Sequence, residues 1–129
     1  MTLCQEFWNP KWDFTYANDQ LYFHYAPPYN GNIAVSAAFT PVLGFWYHLA
    51  VTRSGNVWTI FTNGIVAATG TDSPALPTSI TAPLTIGASP TDDQYYMNGL
   101  LDEICIYNTA LSGSQIQAIY GAGSAGKCK

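Results

Sequence analysis

The chain has 129 residues, of which 48% are hydrophobic, 15% aromatic and only 9% charged, with a formal net charge of −4. So little charge beside so much apolar character excludes a disordered chain, and a total of four Lys and Arg excludes the clustered cations that nucleic acid requires. No apolar run is long enough to insert in a membrane as a helix, and the opening MTLCQEFW has neither the basic start nor the apolar stretch of a signal peptide. The length suits one domain, expected over residues 1–129.

In chain order, Met1 to Pro10 has no clear pattern, although Phe7 and Trp8 are too apolar to hang in water. Lys11 to Tyr16 alternates and predicts a strand, Asn18-Asp19 a turn, and Gln20 to Tyr25 a second strand. That strand places Leu21, Phe23 and Tyr25 on one face, Tyr22 and His24 on the other. Pro27 to Gly31 predicts a loop, because two prolines remove two ladder donors. Ile33 to Phe39 predicts a third strand.

Phe45 to Gly70 predicts a three-strand meander: Trp46 to Thr52, Val57 to Thr62 and Ile65 to Thr69. Arg53-Ser54-Gly55-Asn56 makes the first turn and Asn63-Gly64 the second. Asn-Gly between β-rich runs is a strong hairpin signal, since both residues tolerate positive φ. Neither face of this meander is purely polar, so both should be covered, with Trp46, Trp58 and Phe61 in the core. His48, on the face of Trp46, reads as a packed sheet histidine.

Thr71 to Pro83 predicts a long connection between sheets. Leu84 to Gly87 reads as a short strand, Ala88 to Asn98 as a polar loop, and Gly99 to Tyr107 as the last strand. On that strand Cys105 should be a small buried hydrophobe. One helix closes the chain. Ser112 with Gln115 predicts a capping box, Leu111 with Ile116 a hydrophobic staple, Ile116, Ile119 and Tyr120 a buried stripe, and Gly121 the C′ residue.

The runs WYHLAVTRSGNVWTIFTNG, LTIGAS and NGLLDEICIYNTALSGSQIQAIYGAGSAGKC, in this order and spacing, resemble the bacterial laminin-G-like domains of the concanavalin A-like lectin group. The resemblance covers Lys11 to Cys128. It implies an all-β, two-sheet antiparallel jelly-roll sandwich, here with one short C-terminal helix. It also implies an extracellular or cell-surface module that binds carbohydrate or protein, often with a calcium ion.

Catalysis is not expected. Glycosidases flank the scissile bond with two carboxylates, whereas Asp102 and Glu103 are neighbours on one predicted strand and point to opposite faces. Asp92-Asp93 has no spaced third acid, and no serine stands in a nucleophile elbow. Asp102 falls between core positions Leu100 and Ile104, so it should be hydrogen-bonded to a nearby loop. The resemblance offers a second role for it, as a calcium ligand, although calcium wants six to eight oxygens. Little stabilisation by calcium is expected.

The expected binding surface is in the loops. Tyr29-Asn30 and Asp92-Asp93-Gln94-Tyr95-Tyr96 combine flat aromatic rings with amides and acids. Sugars stack C–H faces on such rings while amides and acids take the hydroxyls. The partner expected is thus a carbohydrate, with a protein surface as the alternative. Cys4 and Cys128 would pair only if the ends meet. Compared with the family it resembles, the chain has only ten residues ahead of Lys11, where further strands are usual. Three repairs are open: Thr2 to Pro10 as a substitute strand, a neighbouring domain, or a homodimer. The dimer is the expected one, with Trp8 and Trp12 at the contact.

Overall fold

A computed structural model describes residues 2–4, 11–26, 32–72, 84–88 and 96–123. Eight strands precede one helix: β1 (Thr2–Cys4), β2 (Lys11–Ala17), β3 (Gln20–Ala26), β4 (Asn32–Ala38), β5 (Leu49–Ser54), β6 (Val57–Thr62), β7 (Ile65–Thr71), β8 (Thr85–Ile86) and α1 (Gly113–Ala122). They form two antiparallel sheets, one ordered β4-β3-β2-β1-β8 and one ordered β5-β6-β7. This is the all-β sandwich with a short C-terminal helix that the resemblance implied.

Turn chemistry sets the registers. Asn18 and Asp19 have φ of 51° and 57°, and Asn63 and Gly64 have φ of 52° and 77°. Two consecutive positive φ values are what a type I′ turn needs, and Asn, Asp and Gly accept them at least cost. Ala17 therefore faces Gln20, and Thr62 faces Ile65. β5 runs on to Ser54, so its turn is only Gly55-Asn56, with Gly55 at φ 60°.

Period-2 alternation then decides the core. Phe14 from β2, Leu21, Phe23 and Tyr25 from β3, and Ala34, Val35 and Ala37 from β4 face Trp58 and Ile60 from β6. The Phe23 and Trp58 rings stack across the sandwich at 4.5 Å. Leu21 and Ile60 are fully buried, each contributing about 2 kcal/mol of transfer free energy. Phe23 pairs with Val35 but His24 pairs with Ile33, so Ala34 is the extra residue of a bulge. The two sheets come closest there: a Cβ on Gly70 would lie 2.5 Å from the Ala34 carbonyl oxygen.

A second register shift falls between Ile60 and Phe61, and Phe61 is also buried. It lies under α1, where a Cβ on Gly113 would be 3.6 Å from its ring. The meander is thus partly covered on both faces, as expected, although Val57, Ile65 and Val66 remain exposed. The capping box is present: Gln115 N donates to Ser112 Oγ at 3.3 Å, and Ser112 N donates to Gln115 Oε1 at 2.8 Å. Ile116 is buried, Ile119 half-buried and Tyr120 exposed.

Several expectations change. Tyr120, expected in the buried stripe, is exposed. Met1 to Pro10 has no pattern as sequence, yet Thr2–Cys4 fills the place between β2 and β8; three residues are too few to show a period. The helix runs through Gly121 and ends at Gly123, which takes the positive φ of 52° that the cap requires. Trp46 precedes β5, which starts at Leu49, so no pleat turns it inward and it is 65% exposed. Gly99 to Tyr107 forms no strand. Glu103 sits at φ 50°, which breaks the extended run at its centre, and its N–H donates to the Asp102 side chain at 2.8 Å, a local bond that competes with a ladder. Cys105 is consequently exposed, not buried.

Candidate functional site

Of the residues expected to bind a ligand, Tyr29, Asn30, Asp92, Asp93, Gln94 and Tyr95 lie outside the described residues, as do Phe7, Trp8 and Cys128. Tyr96 is described and its ring is 64% exposed. Its neighbour Met97 donates its N–H to the Gly87 carbonyl at 2.7 Å. That bond ties the foot of the loop to the end of β8, where Gly87 takes a φ of 79°.

Asp102 is not buried. Leu100 and Ile104, its expected core neighbours, are exposed beside it, because the strand that would have turned them inward does not form. Its carboxylate accepts the Glu103 N–H. Among the described residues, no three His, Cys, Asp or Glu side chains cluster as a metal shell would.

Sequence reasoning missed a polar cluster on the outer face of the five-stranded sheet. Asp13 and Thr15 are buried there, although they point away from the Phe14 core. Thr15 Oγ1 donates to Asp13 Oδ1 at 2.9 Å, and His24 Nδ1 lies 3.0 Å from Asp13 Oδ2. A buried carboxylate must be paired or hydrogen-bonded, and both of its oxygens are engaged. An ionised carboxylate only accepts, so in this pairing Nδ1 is the donor. The signal was available: a two-residue turn at Asn18-Asp19 forces Asp13 opposite His24.

A second cluster closes the seam between the sheets. Tyr25 Oη donates to Asp72 Oδ2 at 2.8 Å, Trp58 Nε1 donates to the Asp72 carbonyl at 3.3 Å, and Asp72 N donates to the Asn56 carbonyl at 2.9 Å. The Arg53 guanidinium lies 5.1 Å from the centre of the Trp58 ring, within cation–π range. Burial, reinforced by the bond to Asp72, pushes the Tyr25 hydroxyl above the usual tyrosine range, against a weaker opposing pull from Asn32. His48 lies one residue before β5, half-buried, with its ring 6.2 Å from that of Tyr120. Its N–H donates to Asn63 Oδ1 at 3.0 Å, and its carbonyl accepts from Asn63 N at 2.8 Å.

Aromatic rings also line the approach to β5. Tyr16 meets Phe39 edge-on at 5.7 Å, and Phe39 meets Tyr47 edge-on at 5.1 Å. Tyr47 Oη accepts the Val42 N–H at 3.0 Å, which closes a loop bearing Leu43, Phe45 and Trp46 in the open.

With this geometry in hand, the likenesses to known proteins can be placed. Residues 5–117 match the laminin G profile of the concanavalin A-like lectin/glucanases superfamily. No curated protein matches the chain. Among solved structures, an S-layer domain-containing protein from Clostridium thermocellum ATCC 27405 (residues 221–444) is similar, with 26% identity and a TM-score of 0.55. The match covers 88% of this chain and spans 58% of the length of that one.

Proposed function

Because the chain belongs to the concanavalin A-like lectin/glucanase superfamily, with the laminin G pattern, we propose that it is a non-catalytic binding module whose ligand is carbohydrate. The family match over residues 5–117 carries this reading. The S-layer domain in the name of the similar solved structure supports a place at the cell surface or outside the cell. No helix among the described residues is long and apolar enough to cross a membrane. Two features support binding over catalysis. The one buried carboxylate among the described residues, Asp13, has both oxygens committed within its own sheet. The second is Asp102, whose carboxylate accepts the neighbouring Glu103 N–H at 2.8 Å.

The test is a glycan array with the purified chain, run with millimolar calcium and with chelator. Binding to at least one glycan, with little change on chelation, is expected. Failure on every glycan in both conditions overturns the carbohydrate reading.

A protein partner is the second reading, favoured by the exposed apolar side chains of Leu100, Ile104 and Ile106. A homodimer, expected with Trp8 and Trp12 at the contact, belongs to this second reading; Trp8 lies outside the described residues. Trp12 is half-buried against the core with its ring stacked on Phe23 at 6.0 Å, which leaves it little to offer a partner. Light scattering coupled to size exclusion separates a dimer from a 14.0 kDa monomer.

A further inference from the structure

We propose that the Val42 to Tyr47 loop is a platform for an uncharged sugar ring, with Phe45 and Trp46 stacking on its C–H face. The inference rests on the carbohydrate reading above and gives that ligand a place apart from the loops around Tyr29 and Tyr96. Three observations carry it.

The first is exposure. Phe45 is 71% and Trp46 65% exposed, side by side in the chain, while Trp58 and Phe61 nearby in sequence are buried. A scattered surface apolar residue needs no explanation, but two adjacent large rings held in water form a patch of the kind that marks a binding site. Gly44 makes the display possible. Its φ of 83° turns the chain sharply just before Phe45, and a Cβ there would meet nothing within 4 Å. Glycine is required at this position for its backbone conformation, not for room.

The second is rigidity. The loop is closed by the Val42 N–H on Tyr47 Oη. The Tyr47 ring rests on Phe39, and Phe39 on Tyr16. The far end and the middle of that stack are tied to the Asn18-Asp19 turn, because Tyr16 Oη donates to Asp19 Oδ1 at 3.0 Å and Phe39 N donates to the Asp19 carbonyl at 2.9 Å. Rings presented on a fixed loop lose little freedom when a ligand stacks on them. Tyr47 Oη accepts from Val42 and still carries its own proton, which a sugar hydroxyl can take.

The third is charge. From Gln20 to Thr52 the chain contains no Asp, Glu, Lys or Arg. Phosphate, sulfated glycans and anionic lipid headgroups are recognised by Lys and Arg, and this stretch has none to offer. A neutral saccharide needs only apolar faces and hydrogen bonds. Leu43, in the same loop, is also exposed and apolar.

The experiment uses affinity electrophoresis of the whole chain in gels containing β-glucan, galactomannan or hyaluronate, with the variants Phe45→Ala/Trp46→Ala, Trp46→Tyr and, at an exposed apolar residue of β7, Ile65→Ala. The expected result is retardation by a neutral polysaccharide and none by hyaluronate. The double alanine variant should lose at least tenfold in affinity, Trp46→Tyr less than threefold and Ile65→Ala less than twofold, with melting temperatures within a few degrees of the parent. If the double alanine variant binds like the parent, the platform is wrong and the carbohydrate reading stands. If the parent binds none of these polysaccharides, the platform falls, and the glycan array decides the carbohydrate reading. Pelleting with phosphatidylcholine vesicles, abolished in the double variant, would make the loop a lipid contact instead. A dimer that becomes a monomer in the double variant would make it an interface between two copies.

Discussion

The meander from Leu49 to Thr71 and the segment from Gly99 to Tyr107 look alike as sequence. Both carry apolar residues on either face of an extended run, and both contain Leu and Ile. Only the first becomes a sheet. Each of its strands has a partner two turn residues away, and Gly55-Asn56 and Asn63-Gly64 deliver that partner in register. Among the described residues no hairpin turn brings the second region a neighbour, and Glu103 at φ 50° interrupts it. Alternation states which face a strand would bury. It does not supply the strand it must pair with.

The contrast can be broken or sharpened by substitution. Ile60 is fully buried on β6, so Ile60→Ala should cost about 2–5 kcal/mol, read as a lower urea midpoint at unchanged slope. Gly70→Ala comes next. Its Cβ would lie 2.5 Å from the Ala34 carbonyl oxygen and 3.3 Å from Val35 Cβ, and such overpacking costs about 1–3 kcal/mol. A neutral result would mean that β7 and β4 are further apart than described here.

Tyr25→Phe should cost about 1–2 kcal/mol at neutral pH through loss of the bond to Asp72. It also carries a pH signature. The folded chain holds the Tyr25 proton more tightly than the ordinary value of 10.0, chiefly through burial and then through Asp72. That contribution is complete below pH 10 and is lost as pH rises through the raised value. Denaturation curves above pH 10 should therefore fall less steeply for Tyr25→Phe than for the parent; equal slopes would remove Tyr25 as the cause.

The smallest effect is expected in the other region. Ile104→Ser with Ile106→Ser should change stability by no more than about 0.5 kcal/mol, since both side chains are exposed. Hydrogen exchange gives the matching measurement, with amides of 99–107 exchanging well ahead of those of β6. Protection equal to that of β6 would show a ladder there and end the comparison.

The candidate site was less legible than the fold. Tyr96 could be marked as a ring in a polar loop, and it is exposed. Trp46 was assigned to the core because it extends the alternation of β5 by one step. Whether alternation continues past a strand end depends on where pairing stops, and β5 pairs only from Leu49. The Asp13–His24 pair was written in the register of a hairpin that had been recognised, but period-2 reasoning treats an outward acid as solvated and asks nothing more of it.

By itself the sequence determined the local events: the Asn18-Asp19 and Asn63-Gly64 turns, the strands they join, the inward face of β3 and β6, and the Ser112–Gln115 capping box. These depend on φ preferences, β-propensity and bonds reaching three residues, all of which are carried by neighbours in the chain. Tertiary structure alone decided the rest. β1 exists because β2 and β8 leave a slot for three residues. Gly64 is fixed from outside as well as by its turn, since α1 brings Tyr120 Cβ to 3.1 Å from where its Cβ would be. Gly99 to Tyr107 stays irregular because a strand's backbone donors need acceptors that no residue near it in sequence provides.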